Sequence, residues 1–282
     1  MWRYRAILGF SLTWSVLATA AGHVAPDIDY MARLMVEAER AHQPYPDIAR
    51  LNPALNDEAL FAVQHRFVAH NLETGKQIGG FKGGFIPAAP IGGVLFKQSF
   101  MNAPAVIDGG SYVSLLIEAE IGFEFCAPVL APLADTTALK KVVCKVRPAV
   151  ELPDAAVHDL AILKTDRARL RRALIPNNVA TRQVLLGSAL DAASIDVNHL
   201  NVATRFESKV IGTRDGTNAP DDLWQNVLWI VNEFVLVQGY TIAPGFVIIP
   251  GNLTGLHPGR PGQYEVDYGA LGVVKFEVVG DH

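Results

Sequence analysis

The chain has 282 residues, 50% of them hydrophobic and 18% charged, so it has enough apolar material for a core and is not a disordered protein. Its 24 Lys and Arg against 28 Asp and Glu give a net charge of −4. This balance, without a long basic run, argues against a nucleic-acid-binding surface. Two cysteines exclude a disulfide-rich scaffold and a cysteine-based zinc module.

Residues 1–20 have the layout of a secretory signal peptide. Residues 1–5 contain two arginines and precede an uncharged, mostly apolar stretch over residues 6–17. Residues 18–20 fit the small-x-small cleavage pattern. The apolar stretch is short for a membrane span, which needs about 20 residues. We therefore expect cleavage after Ala20, export to the periplasm, no membrane association afterwards, and a single domain over residues 21–282.

Two helices are predicted at the start of the mature chain. Asp27 is placed to cap the first, whose apolar residues recur at helical spacing as far as Ala38. Tyr-Pro and Asn-Pro pairs within residues 45–53 predict a loop. Asn56 or Asp57 is placed to cap the second helix.

From Ile78 onward the sequence predicts short, glycine-rich strands. The clearest strands cover residues 112–125 and 144–152. Further strands are expected over residues 183–189, 200–210, 241–249 and 264–279. Because the helices come first and a strand-rich body follows, the order predicts one α+β domain rather than alternating βαβ units.

Two more helices are predicted in the second half of the chain. One covers part of residues 153–174, and its basic run, residues 166–172, is interpreted as a solvated helix face. The other is capped by Asp221 or Asp222 and ends at Gly239.

The two cysteines, Cys126 and Cys144, have two possible states. Export makes a disulfide between them chemically possible. Two free buried thiols are the alternative, because the sequence does not give the distance between them.

Acidic residues alternate with apolar ones along the strand predicted over residues 112–125. Glu118, Glu120 and Glu124 share one face, because alternate side chains of a strand point the same way. Two carboxylates at this spacing can converge on one hard cation. A half-exposed strand with a wet acidic face is the alternative. Glu151, at the end of the next predicted strand, is a possible third ligand or an ordinary strand-end acid.

Lys82 lies among four glycines in residues 79–84, where the backbone can approach a ligand closely. With a pKa lowered by burial this lysine would act as a base, and in its charged form it would hold a carboxylate. The alternative is a glycine-rich turn with a surface lysine. Residues 252–254 fit a glycosylation sequon. P-loop, nucleophile-elbow, HExxH and CxxC motifs do not occur in the sequence.

These segments resemble, in order, the motifs of the 2-keto-4-pentenoate hydratase / 2-oxo-3-hexenedioate decarboxylase family of the fumarylacetoacetate hydrolase superfamily. Gly80-Phe81-Lys82-Gly83 resembles its G-aromatic-K-x-G motif. The other matching segments are residues 62–64, 93–96, 118–123 (E-x-E-x-x-F), 148–152 (P-A-hydrophobic-E) with Asp154, 185–187, 226–232, 250–255 and 271–274. Together they extend from about residue 28 to the C-terminus.

The resemblance implies an α+β fold, a mixed β-roll of the fumarylacetoacetate hydrolase C-terminal type with N-terminal helices. It also implies a homo-oligomer and a divalent metal, Mg²⁺ or Mn²⁺, held by Glu118, Glu120 and Glu151. Lys82 would lie beside this centre as a proton shuttle or electrostatic partner. The implied activity is that of a lyase of aromatic catabolism. It would hydrate or decarboxylate a short 2-oxo or 2-hydroxydienoic acid through a metal-stabilised enolate.

Three features depart from the family pattern. Lys97 and Gln98 stand where members often carry an acidic residue. Residues 177–182 replace an Asp-Asn-Ala-Ser-Ser-like segment, losing the acid and gaining Arg182, with Thr181 as the candidate to replace a catalytic serine hydroxyl. The family's typical enzymes are cytoplasmic, whereas this chain carries the leader pattern.

The departures leave two alternative functions open. One is a carbon–carbon bond hydrolase of the acylpyruvate type, which needs a base to activate water, with His42 as its candidate. The other is an exported protein that binds a metal and a 2-oxo acid without turnover, an interpretation favoured by Lys97, Gln98 and Arg182.

Overall fold

The computed structural model describes residues 27–84, 88–156, 165–219 and 222–280. The predicted signal peptide, residues 1–20, lies outside the described residues. Within the described ranges, no helix is both long enough and apolar enough to cross a bilayer.

The two N-terminal helices form where the sequence predicts them. Helix α1 (Ile28–Ala41) is capped by Asp27, and α3 (Asp57–Glu73) by Asn56; each cap side chain accepts a hydrogen bond from a backbone N–H three residues on. Between them, the predicted loop contains a short helix, α2 (Ile48–Leu51). Helices α1 and α3 pack against each other.

Three further helices occur in the described part of the chain. They are α4 (Thr136–Val142), which was not predicted, α5 (Arg167–Leu174) and α6 (Leu223–Trp229). Asp222 caps α6, while Asp221, the other candidate, lies outside the described residues. Helix α6 continues as a π-helical segment (Ile230–Val235).

Fourteen strands form two sheets in the part of the chain that the structure describes. In chain order they are β1 (Ile78–Gly84), β2 (Ile91–Phe96), β3 (Phe100–Asn102), β4 (Ala105–Asp108), β5 (Leu116–Phe125), β6 (Val143–Leu152), β7 (Gln183–Leu186), β8 (Leu190–Asp191), β9 (Val202–Phe206), β10 (Lys209–Arg214), β11 (Val247–Ile249), β12 (His257–Pro258), β13 (Gly262–Asp267) and β14 (Val273–Val279).

Both sheets mix parallel and antiparallel neighbours. The larger has the order β2-β1-β11-β5-β6-β7-β3, with β12 beside β5 and β8 beside β6, and its β1–β11 and β3–β7 pairs are parallel. The smaller has the order β10-β9-β13-β14-β4, in which β14 and β4 are parallel. The predicted α+β fold with mixed sheets and N-terminal helices is therefore confirmed.

Several predicted strands are shorter than expected or are interrupted. The first clear strand begins at Leu116 rather than at residue 112. The strand predicted over residues 200–210 is a hairpin, because Glu207 and Ser208 turn the chain at φ 48° and 65°. A turn at Gly269–Leu271 likewise separates β13 from β14.

Cys126 and Cys144 form a disulfide, with their Cα atoms 5.8 Å apart. This separation is usual for a disulfide. Cys126 directly follows β5, and Cys144 is the second residue of β6. The bond therefore links one end of the central antiparallel pair of strands.

Candidate metal centre

The three glutamates of the predicted metal site come together at the pairing of β5 with β6. The antiparallel register places Glu118 directly opposite Glu151, and Glu120 follows two residues along the same face. One carboxylate oxygen from each of the three lies within 4.8 Å of the others. Glu120 is 1% exposed and Glu151 is fully buried, so a wet acidic face is excluded for these two.

Glu124 lies farther along β5 and does not join this cluster. Its carboxylate pairs with Arg147 and, at 3.6 Å, with Lys145 of β6. The acidic face of β5 is thus divided between a cluster of carboxylates and an ordinary cross-strand ion pair.

Lys82 of β1 is buried beside the carboxylates. Its Nζ donates to both oxygens of Glu151 at 2.6 Å and to the backbone oxygen of Val179 at 3.2 Å. Burial lowers the pKa of Lys82, but Glu151 and then Glu118 raise it by more, so the net pKa lies above its ordinary value. Lys82 is therefore a charged partner of the carboxylates. This favours the predicted role of a charged lysine that holds a carboxylate over that of a base.

The carboxylates are not fully compensated by this lysine. Burial raises the pKa of Glu120 well above its ordinary value, Glu151 and Glu118 raise it further, and Lys82 and the Gly251 N–H oppose the rise. Burial also raises the pKa of Glu151. Full ionisation would leave three negative charges against one positive charge. Hard carboxylate oxygens suit Mg²⁺ and Mn²⁺, and a divalent cation would supply the missing charge.

The segment after β11 orients two of the carboxylates. The Gly251 N–H donates to Glu120 Oε2 at 2.8 Å, and Asn252 Nδ2 donates to Glu118 Oε1 at 3.2 Å. Asn252 Oδ1 in turn accepts from the N–H groups of Thr254 and Gly255, both at 3.0 Å, which fixes the amide orientation. The sequon-like residues 252–254 are thus part of the site.

A left-handed turn holds the Val179 carbonyl against Lys82. The three residues Asn178–Ala180 have φ values of 57°, 57° and 60°, which are unfavourable for residues other than glycine. The Asn178 side chain bonds both backbone groups of Val94 on β2, at 2.7 and 2.8 Å. A Cβ at Gly93 would lie 2.7 Å from the backbone oxygen of Asn178, so the close approach of this turn to β2 requires glycine.

A cavity of about 410 Å³ opens onto the centre. Its volume is typical of small-molecule sites. Its lining includes Lys82, Glu118 and Glu120. Leu170 and Leu174 of α5 are among its apolar lining residues.

Thr181, the other predicted catalytic residue, is not among the described residues that line the cavity, although its neighbour Ala180 is. Its Oγ1 is buried and has no hydrogen-bond partner in the described part of the chain. The catalytic role of Thr181 stays a prediction.

Three side chains that depart from the family pattern, those of Lys97, Gln98 and Arg182, are not among the described residues that line the cavity. Arg182 contacts Asp154 at 3.5 Å and packs its guanidinium 4.5 Å from the ring centre of Tyr112. Lys97 and Gln98 both bond Gln77, at 3.3 and 3.1 Å.

His42, the candidate base of a hydrolase, ends α1 on the surface. Its Nδ1 lies 3.1 Å from the backbone oxygen of Ser111. No histidine is found among the cavity-lining residues that the structure describes.

Sequence reasoning missed the roles of three neighbours of the centre. Gly251 and Asn252 lie in a segment that matches the family, but their contacts with the glutamates depend on the fold. Tyr268 is also buried there; its Oη donates to the backbone oxygen of Ala149, the register partner of Glu120. Nothing in the sequence around Tyr268 predicts that its hydroxyl bonds the strand that carries Glu151.

Known proteins resemble the chain in sequence and in fold, although no family model matches it. The 2-oxo-hept-4-ene-1,7-dioate hydratase of Escherichia coli is 24% identical over 260 residues, covering 88% of this chain and 97% of that protein.

Solved structures give the same result for the fold. The 4-oxalocrotonate decarboxylase of Pseudomonas putida G7, complexed with magnesium and adipate, superposes with a TM-score of 0.80 at 21% identity, covering 89% of this chain and 97% of that one. A putative fumarylacetoacetate hydrolase family protein from Yersinia pestis CO92 gives 0.55 at 11% identity, covering 72% of this chain and 94% of that one. The chain has the fold of the fumarylacetoacetate hydrolase superfamily, and its predicted resemblance to the hydratase/decarboxylase family is confirmed.

Proposed function

We propose that the protein is a divalent-metal-dependent lyase, a hydratase or decarboxylase, acting on a short 2-oxo or 2-hydroxydienoic acid. One observation carries this proposal: three carboxylate oxygens, from Glu118, Glu120 and Glu151, lie within 4.8 Å of one another beside a cavity that two of these residues line. These residues would hold Mg²⁺ or Mn²⁺. When bound, the cation supplies Lewis-acid stabilisation of the negative charge that develops on the 2-oxo oxygen.

The chain's own groups perform the remaining work. The Lys82 ammonium, held by Glu151 and the Val179 carbonyl, would act as an electrostatic partner of the negative charge at this centre. Gly251 and Asn252 keep the carboxylates of Glu120 and Glu118 in place. The rest of the ligand would contact apolar side chains of the lining, Leu170 and Leu174 among them.

The relatives support this proposal. One is a hydratase of an unsaturated 2-oxo dicarboxylic acid, and another is a decarboxylase with magnesium and a dicarboxylic acid in its structure. The described lining of the cavity contains no histidine that could serve as the base of a hydrolase. Lys97, Gln98 and Arg182, which favoured a binding protein, are also not among the described lining residues. A metal-dependent lyase is therefore the favoured function. Export to the periplasm and homo-oligomer formation remain proposals from the leader pattern and the family resemblance.

A thermal-unfolding titration tests the metal and acid site. The mature protein is heated in chelator, in Mg²⁺ or Mn²⁺, and in each metal with oxalate, which mimics the enolate of a 2-oxo acid; acetate is the control. A ligand at 100 times its Kd stabilises by about 2.7 kcal/mol. We expect oxalate to raise the Tm only when metal is present. A Tm unmoved by metal and by oxalate would contradict the proposal.

The reaction type is resolved by product analysis in labelled water with a 2-hydroxydienoic acid. Incorporation of water oxygen into an intact carbon chain indicates hydration, and release of CO₂ indicates decarboxylation. Cleavage of a carbon–carbon bond with water would instead indicate a hydrolase, and an unchanged substrate would indicate a binding protein.

A further inference from the structure

The smaller sheet contacts the surroundings of the candidate metal centre without lining its cavity. None of the described lining residues belongs to the strands of this sheet. Strands β9 and β10 instead contact the turn at residues 252–255, in which Asn252 bonds Glu118. This turn therefore connects the smaller sheet to the carboxylates.

Thr204, in the middle of β9, is joined to the turn by a hydrogen bond. Its hydroxyl lies 2.8 Å from the hydroxyl of Thr254. Both residues are buried, with exposed fractions of 0% and 8%. Because a buried hydroxyl without a partner is unfavourable, each of the two groups holds the other in place.

Gly212 of β10 is the register partner of Thr204 and lies against the same turn. A Cβ at this position would lie 2.3 Å from the backbone oxygen of Thr254 and 2.5 Å from Nε2 of His257. That histidine nitrogen itself lies 3.2 Å from the Thr254 oxygen. Neighbouring residues of two strands thus fit around Thr254, and β10 approaches it closely because its residue there is glycine.

Thr254 is linked to Glu118 by two further hydrogen bonds. Its backbone N–H donates to Asn252 Oδ1 at 3.0 Å, and Asn252 Nδ2 donates to Glu118 Oε1 at 3.2 Å. The Gly255 N–H also donates to Asn252 Oδ1, at 3.0 Å. The position of Thr254 therefore helps to set the orientation of the amide that holds Glu118, and such partners of a metal ligand commonly tune the affinity for the metal.

We propose that Thr204 is a positioning residue of the metal centre, which acts through Thr254 and Asn252 on the carboxylate of Glu118. This inference rests on the proposed function, in which Glu118 is a metal ligand, and it adds a residue of the smaller sheet to that function. Thr204 is not among the described residues that line the cavity. Its contribution is to the metal affinity, through the geometry of Glu118.

The test uses variants that separate the hydroxyl of Thr204 from its shape. Thr204→Val keeps the shape and removes the hydroxyl, whereas Thr204→Ser keeps the hydroxyl and removes a methyl group. Val266→Ala is the matched control, because Val266 is buried and is the register partner of Thr204 on β13. The Kd for Mn²⁺ is measured by calorimetry, and the Tm of each variant is measured in chelator.

Removal of a hydrogen-bond partner of a metal ligand commonly lowers metal affinity by about 10- to 100-fold. Because Thr204 acts through further residues, we expect the lower end of this range, an Mn²⁺ Kd about tenfold weaker in Thr204→Val. Thr204→Ser and Val266→Ala should bind Mn²⁺ as the wild type does. All three variants should have a lower Tm in chelator, so a weaker Kd confined to Thr204→Val distinguishes positioning from a loss of stability.

Gly212→Ala tests the same contact from β10 and decides the question if Thr204→Val does not fold. Its new methyl group must displace the Thr254 carbonyl, so we expect weaker Mn²⁺ binding in this variant too. An Mn²⁺ Kd that is unchanged in Thr204→Val, or that weakens equally in Val266→Ala, overturns the inference alone. Absence of Mn²⁺ binding in the wild type overturns the proposed function as well.

Discussion

Two clusters of charged side chains have contrasting surroundings. One lies around Glu120 in the candidate metal centre, and the other lies between α1 and α3, where Asp29 contacts Arg33, Arg66 and His70. The second cluster is exposed to solvent, and its acids face basic groups. The side-chain hydrogen bond from Arg66 is the main reason that the pKa of Asp29 lies below its ordinary value.

The pKa shifts of the two clusters have opposite signs. In the surface cluster, basic partners lower the pKa of an acid, which is what an ion pair that stabilises a fold does. In the buried cluster, desolvation and neighbouring carboxylates raise the pKa of Glu120 and Glu151 despite Lys82. A buried group of acids with too few bases is what a cation-binding site requires, and its raised pKa values distinguish it from structural ion pairs.

The largest effect is expected from Glu120→Gln. This variant removes one proposed ligand and one under-compensated buried charge. We expect metal binding to be lost in calorimetry, and the unfolding free energy in chelator near pH 7 to rise by about 1–3 kcal/mol. Because the pKa of Glu120 is raised in the folded state, its cost to stability appears above its unfolded pKa, and the gain should disappear in acid.

Glu124→Gln is the matched control for this experiment. It lies on the same strand and removes an identical charge, but its carboxylate pairs with Arg147. Normal metal binding in Glu120→Gln, or loss of binding in both variants, would show that the cluster is not the metal site.

The next largest effect is expected from Lys82→Met. The variant removes the ammonium that bonds Glu151 and leaves the buried carboxylates without a positive partner. In chelator at neutral pH, we expect a loss of about 3–5 kcal/mol in unfolding free energy. Mg²⁺ should restore part of the stability but not turnover. A variant as active as the wild type would rule out a role for Lys82 in the reaction.

The smallest effect is expected from Asp29→Asn in the surface cluster. Because the folded-state pKa of Asp29 is lowered, its contribution is present above its unfolded pKa and is lost as the pH falls through the folded value. We expect the Tm to fall by about 1–2 °C near pH 7, with no difference from the wild type in strong acid. Metal and oxalate binding should not change. A large loss of stability would mean that this cluster does more than an exposed ion pair.

Local signals in the sequence predicted the elements better than the site. Capping is a short-range hydrogen bond, so the sequence predicts Asp27 as the first cap and Asn56 or Asp57 as the second; the structure shows Asp27 and Asn56. The spacing of Glu118 and Glu120 predicted a shared face. Their burial and the nearness of Glu151 follow from the β5–β6 register, which links residues distant in the sequence. The strand pattern left Glu151 either a third ligand or an ordinary strand-end acid, and the family resemblance favoured the ligand.

Other features depend on which neighbours a side chain meets. The charge state of Lys82 follows from Glu151, and the glycines around it are compatible with either state. Arg169, Arg171 and Arg172 belong to a single basic run, and nothing local distinguishes the one that contacts Asp47 from the two that contact Asp57. Such differences arise only when the helix packs.

The disulfide between Cys126 and Cys144 closes a loop of 18 residues at the end of the β5–β6 pair. Such a cross-link restricts the unfolded chain and, for a loop of this length, stabilises the folded state by about 3 kcal/mol in the chain-entropy model. In the unfolded chain, the cross-link also keeps the β5 and β6 segments close together, and the register of these two strands aligns Glu118 with Glu151. Chain made under reducing conditions would therefore have to find that register without the cross-link, and an oxidising host compartment is the better choice for producing the protein.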